Sequence, residues 1–297
     1  MIQKTCILTL SMFLFCNAKA TAQDLSISLS TGLKVIVLQK DYPLIKLLLP
    51  GQSATERGIE IEFPEHVTGL NESTKQVEHL YLVTNGNANK RTLPNWRADG
   101  NTLIYETELD NKISMVATAT LELDGLRYTY KFTNHSAITY SNLQAVTCIK
   151  LYSLFSDTLL QRTYVHHADG FDLMASETSQ RLTMPLQQWL PCRYLVSYNW
   201  PVAPNRVEKD GTITRYYKSR KADKPFIATL SHDKKWIAAT YSKDPGNLWT
   251  NPERTCQHAE PAITLNAGET KTIELKTFII KGDLELLLRI INIEMME

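Results

Sequence analysis

Short stretches in which apolar and polar residues alternate with period two recur along most of this chain. Ile59, Ile61 and Phe63 alternate with Glu60 and Glu62, and Leu126, Tyr128, Tyr130 and Phe132 alternate with Arg127, Thr129 and Lys131. Successive side chains of a β-strand point to opposite faces, so the pattern reads as strands with one buried and one wetter face. Turn signals separate the runs at Thr31-Gly32, Asn85-Gly86, Asp99-Gly100, Asp110-Asn111, Asp124-Gly125, Asp210-Gly211 and Ala267-Gly268. Asx-Gly pairs tolerate the positive φ of tight hairpins, so several of these joints are expected to be hairpins. Strands at this spacing, with almost no helical periodicity between them, predict an all-β fold, a large antiparallel β-sandwich ending near Lys281. A short C-terminal helix is predicted over Leu284 to Ile291, with Asp283 as its cap.

One stretch departs from the pattern. From Ser153 to Pro191 alternation fades while histidines, aromatics and polar residues crowd together, and its apolar content is too high for disorder. An ordered, loop-rich region over one face of the sandwich is expected there. No Pro- or Ser-rich linker and no repeat divides the chain, so residues 23–297 are read as a single domain.

The start carries Lys4, an apolar run from Cys6 through Cys16, and small residues at Ala18, Ala20 and Ala22. That order is the signature of a secretory signal peptide, read here as residues 1–22, with cleavage after Ala20 or Ala22. A periplasmic or secreted location is therefore expected. No later apolar run is long enough for a membrane span. The whole chain has a net charge of +1, and its one short basic run is Lys218 to Lys221. With so little field, a nucleic-acid partner is not expected. Cys148, Cys192 and Cys256 remain beyond the leader, so at most one disulfide can form within the chain and a disulfide scaffold is excluded.

No stretch spells a reaction. G-x-S-x-G, phosphate loops, dinucleotide fingerprints and local H-x-H or C-x-x-C metal spacings are all missing. Neither a cofactor nor a metal is therefore expected. Seven histidines are present, and three groups stand among other polar residues: Glu78-His79 in a strand, His166-His167 with Asp169, and His258 with Gln257 and Glu260. Neighbours along a strand face opposite ways, so at most one of each adjacent pair can enter one site. Aromatics including Trp189, Trp200, Trp249, Tyr194 and Tyr198 lie among Arg162, Asn199, Asn247 and Gln257. Flat rings bordered by planar hydrogen-bonding groups suit a sugar, whose C–H faces stack while its hydroxyls bond. The expected ligand is a carbohydrate. A site is anticipated where the segments around Arg162–Phe171 and Asn247–Glu260 meet. His166, His167, His258 and Glu260 would carry catalysis, and Arg162, Asp169, Trp249, Gln257, Glu78 and His79 would contact substrate. A non-catalytic envelope or interaction module is the alternative, and the sequence does not set the oligomeric state.

Phe132-Thr133-Asn134-His135-Ser136, Gln161-Arg162-Thr163-Tyr164-Val165-His166 and the ending Leu265-Asn266-Ala267-Gly268-Glu269-Thr270 followed by Lys281-Gly282-Asp283-Leu284 resemble uncharacterised exported bacterial proteins of the galactose mutarotase-like β-supersandwich superfamily. Ala267 stands where that closing turn often has proline. The resemblance implies sugar epimerases, polysaccharide lyases, glycosidases or sugar binders as the range of function. In the epimerases a histidine protonates the ring oxygen and a glutamate takes the anomeric hydroxyl proton. The motifs place no residue of this chain in either role, leaving His166, His167 and His258 as candidate acids and Glu260 and Glu78 as candidate bases.

Overall fold

A computed structural model describes residues 25–82, 94–174, 196–199, 206–207, 213–217, 222–251 and 254–296. Strands are numbered β1 to β21 in chain order. Twelve form the larger sheet. Its path runs β1 (Ser26–Ser28), β2 (Lys34–Leu38), β3 (Leu44–Leu48), β4 (Ile59–Asn71), β10 (Tyr140–Leu151), β19 (Cys256–His258), β18 (Asn247–Asn251), β13 (Val196–Asn199), β15 (Ile213–Tyr217) and β14 (Arg206–Val207). β5 (Gln76–Leu82) pairs with β4, and β20 (Ile263–Leu265) with β10. Nine strands form the smaller sheet: β12 (Gly170–Leu173), β11 (Thr163–His167), β16 (Phe226–Leu230), β17 (Trp236–Tyr241), β21 (Thr270–Lys281), β9 (Gly125–Asn134), β8 (Ile113–Glu122), β7 (Thr102–Leu109) and β6 (Arg97–Asp99). All described pairings are antiparallel except β13 with β15. The expected antiparallel sandwich is the fold observed.

The period-two reading explains which face is which. β8 alternates buried and half-buried residues along its whole length. Its Ile113, Met115, Ala117, Ala119 and Leu121 join Tyr105, Tyr128, Tyr130 and Phe132 in the space between the sheets, against Ile59, Ile61, Phe63, Ala145 and Ile149 of the larger sheet. The interior tyrosines find partners across that space: Tyr105 donates to the Phe63 carbonyl at 2.6 Å, and the Tyr130 and Thr147 hydroxyls lie 2.6 Å apart. Helix α1 (Leu284–Glu294) covers part of the outer face of the smaller sheet, with Leu287 and Ile291 against Ala239, Phe278 and Ile280. Asp283 caps it, accepting from the Leu286 amide at 2.8 Å. Among the described residues no helix is long and apolar enough to cross a membrane.

Several turns behave as expected. Asp110 and Asn111 both adopt positive φ in the tight β7–β8 joint, and Thr31-Gly32 closes the β1–β2 hairpin. Ala267-Gly268 does something else: it carries the chain from the larger sheet in β20 to the smaller sheet in β21. The turn signals at Asn85-Gly86 and Asp210-Gly211 lie outside the described residues. The first part of the segment read as loop is a hairpin instead, β11 pairing with β12 through a turn at Ala168-Asp169. Thr163, Val165 and His167 are buried there, but so is His166. Burial on both faces erases the alternation that would have marked the strand. Residues 175–191 of that segment lie outside the described residues.

Candidate functional site on the outer face of the larger sheet

In β19 the chain reads Cys256-Gln257-His258, and the pleat sends Gln257 to one face and the other two to the opposite face. Gln257 points inward. Its amide nitrogen donates to Thr229 Oγ1 at 2.9 Å and to the Ala238 carbonyl at 3.1 Å, and its amide oxygen accepts from Thr240 Oγ1 at 2.9 Å. Cys256 and His258 therefore sit on the outer face, as does Cys148, because Ile149, its neighbour in β10, lies in the interior.

His258 is fixed on two sides. Its Nδ1 lies 2.6 Å from Glu260 Oε1, and the Trp249 ring stacks on it with centroids 3.5 Å apart and planes within 3° of parallel. Direct pairing of Trp249 with His258 across β18 and β19 sets up the stack. Both members of the His258–Glu260 pair are almost fully buried, at 1% and 4% exposure. Burial alone would push the imidazole down, but the Glu260 charge and the Cys148 thiol outweigh it and hold His258 up at about 10. At neutral pH the His258 imidazole is therefore charged. The hydrogen-bonded Cys256 thiol and, after it, burial push the Cys148 thiol well up.

Nearer the solvent on the same face lie His66 of β4 and His79 of β5, their rings 5.9 Å apart. His79 is exposed, while His66, Glu65 and Trp249 are half-buried. Burial lowers His66 from the ordinary imidazole range. Glu65 and Glu260 oppose that shift, whereas His79 and His258 add to it, so all five groups lie within electrostatic reach. A neutral imidazole, a solvent-facing imidazole, a carboxylate and an indole thus gather over the buried His258–Glu260 pair. His66 and Glu65 escape a reading of the sequence because Pro64 and the β-bulge between Val67 and Thr68 interrupt the alternation that places neighbouring residues on faces.

The other sequence candidates go elsewhere. Glu78, facing away from His79, accepts from Asn71 and from Lys112 at 3.0 Å, and it bonds to Tyr140. Those partners, the Asn71 amide first, hold its carboxyl below the usual range despite partial burial. Arg162 donates to the carbonyls of Leu230 and Ser156, tying its loop to the end of β16. His166 is in the smaller sheet with Nδ1 2.6 Å from Asp223 Oδ1 and its ring edge-on to Phe171, His167 is buried in the same strand, and Asp169 is exposed in the turn. The two segments expected to share a site do approach each other, through different residues. Thr163 Oγ1 bonds to Thr229 Oγ1, which in turn accepts from Gln257, and the Asp157 amide donates to Thr255 Oγ1 at 2.8 Å. The meeting is an interior hydroxyl chain, not a pocket rim. Trp189, Trp200 and Tyr194 lie outside the described residues.

No family model matches this chain, and no curated protein matches it. Among solved structures, a galactose mutarotase related enzyme from Lactobacillus acidophilus is 10% identical, covers 88% of this chain and 99% of its own, and has a TM-score of 0.48. A galactose mutarotase-like protein from Lactobacillus casei is 11% identical over 87% of this chain and 100% of its own, with a TM-score of 0.49. An α-N-acetylgalactosaminidase from Bifidobacterium bifidum is 8% identical over 87% of this chain and 36% of its own, again at 0.49. Two of these neighbours bear the galactose mutarotase name that the sequence resemblance implies, and likeness of this degree leaves the activity to be argued from the site itself.

Proposed function

We propose that this is an exported protein that binds carbohydrate on the outer face of the larger sheet. The observation that carries the reading is the gathering of half-buried Trp249 with His66, His79 and Glu65 over the buried His258–Glu260 pair. One face of the indole lies against the His258 imidazole, so its accessible part is the other face and the edge, a surface on which a sugar's C–H groups stack. Neutral His66 can donate through one ring nitrogen and accept through the other, and Glu65 accepts. Hydroxyl groups need that mixture. The buried pair below keeps the indole in place without itself needing to touch the ligand. Export rests on the leader-like first 22 residues.

Glycan-array screening of the purified chain tests the reading, with reducing-sugar assays on the best binders separating binding from turnover. Binding to at least one glycan class, weakened by His79→Ala, is the expected result. A protein silent across plant, algal and bacterial glycans would instead be a packing or interaction module.

A further inference from the structure

We infer that Cys148, Cys256 and His258 form a buried Zn²⁺ site, with a carboxylate oxygen of Glu62 as fourth ligand, a reading independent of the proposed sugar face. The sheet register builds it. Ile149 pairs with Gln257 and Lys150 with Cys256, so Cys148 stands directly opposite His258 while Cys256 is one diagonal step away. The two sulfurs and an imidazole nitrogen all lie within 4.8 Å of one another, and carboxylate oxygens of Glu62 and Glu65 form a second such group around the same Cys148 sulfur, of which Glu62 is the buried member. All four ligands are at most 4% exposed.

Two buried polar atoms at this spot lack a well-formed hydrogen bond. His258 Nδ1 is taken by Glu260, which leaves the buried Nε2 with only the Cys148 thiol beside it. Glu62 gives Oε1 to Lys150, which leaves Oε2 buried and without a hydrogen bond. Only four buried side-chain atoms among the described residues are so placed, and these two flank one thiol. Leaving a buried polar group unpartnered forfeits its hydration with nothing in return, so two at one point need an explanation. A tetrahedral S₂NO zinc site supplies it. The Glu260–His258 contact is the outer-shell arrangement that fixes a ligating imidazole, its Nδ1–H held by a carboxylate and its Nε2 left for metal. On binding, two thiols and the Nε2 position yield their protons to solvent, and Zn²⁺ with Lys150 then offsets three of the four negative charges carried by the two thiolates, Glu62 and Glu260. The ligands come from neighbouring strands, so the local C-x-x-C spacing of loop-built zinc sites is not required.

Cobalt titration of the full chain under reducing, oxygen-free conditions tests the site. One equivalent of Co²⁺ should give tetrahedral visible bands and a thiolate-to-cobalt charge-transfer band, both abolished by Zn²⁺. Cys148→Ser should lose about half the charge-transfer intensity, and Glu260→Gln should keep the spectrum while weakening affinity about 10–100-fold. Should either variant fail to fold, wild-type protein alone suffices: Zn²⁺ should slow alkylation of Cys148 and Cys256 at least tenfold. A reduced wild-type chain giving no charge-transfer band, the same band in Cys148→Ser, unprotected thiols, or a Cys148–Cys256 disulfide in protein isolated from cells would each overturn the site. None of those failures touches glycan binding, which is read separately.

Discussion

Gln257→Ala separates an interior polar residue from a site residue. In the structure the Gln257 amide serves three buried partners, Thr229, Thr240 and the Ala238 carbonyl, and is itself fully buried. Alanine removes all three bonds at once. Thr229 keeps the Thr163 hydroxyl at 3.1 Å, so its loss is small. The Thr240 hydroxyl and the Ala238 carbonyl are left short of partners, at about 1–3 kcal/mol each, less whatever a water entering the vacated space restores. The expected destabilisation is about 3 kcal/mol, which for a domain of this size lowers Tm by roughly 6–12 °C. Urea unfolding followed by tryptophan fluorescence, with thermal melts alongside, gives the number. A change within about 0.5 kcal/mol of wild type, the range of a neutral surface substitution, would refute the interior assignment, and lost glycan binding at unchanged stability would place Gln257 in the site instead.

Other regions make sharper or milder demands. Gly125→Ala should abolish soluble protein, because a Cβ there would lie 2.0 Å from the Thr277 carbonyl oxygen in the β9–β21 ladder; Gly100→Ala, with open space around it, should cost only about 1 kcal/mol for its positive φ and stay soluble. Asp283→Ala should lower stability by about 1 kcal/mol through loss of the α1 cap, measured by urea midpoint. Although burial opposes it, Arg127 and Lys276 hold the Glu122 carboxyl below its usual range. A depressed folded value means the stabilisation is full above the unfolded carboxylate value of about 4.3 and is lost as pH falls through the folded one. Glu122→Gln should therefore flatten the acid limb of Tm against pH, and an unchanged limb would show that the network contributes nothing.

Strands with one wet face were legible because their alternation survives in the sequence: Ile113 to Leu121 and Leu126 to Phe132 read directly as β8 and β9. Asp110-Asn111 and Asp283 were legible for the same local reason, since turn and cap chemistry is contained in the residues themselves. β11 was hidden because His166 and His167 are buried on both sides of it, making a strand look like a polar loop. The site was only half visible. His258, Glu260 and Trp249 stand close in sequence and meet in space, whereas Cys148 joins them through a strand pairing across more than a hundred residues that no local pattern announces. Gln257 shows the limit from the other side. Its composition suits a sugar site, but strand parity turns it inward while His258 turns outward.

The indole of Trp249 is the platform of the proposed carbohydrate site. Its most direct test is calorimetric titration of the strongest glycan from the array into wild-type protein and Trp249→Ala, with melting temperatures recorded for both. Indole–sugar stacking of this kind predicts that affinity falls at least tenfold in the variant while the fold melts cooperatively and still retains the β-sheet circular dichroism of wild type. Equal affinity in the two proteins would contradict it and move any sugar site off this face.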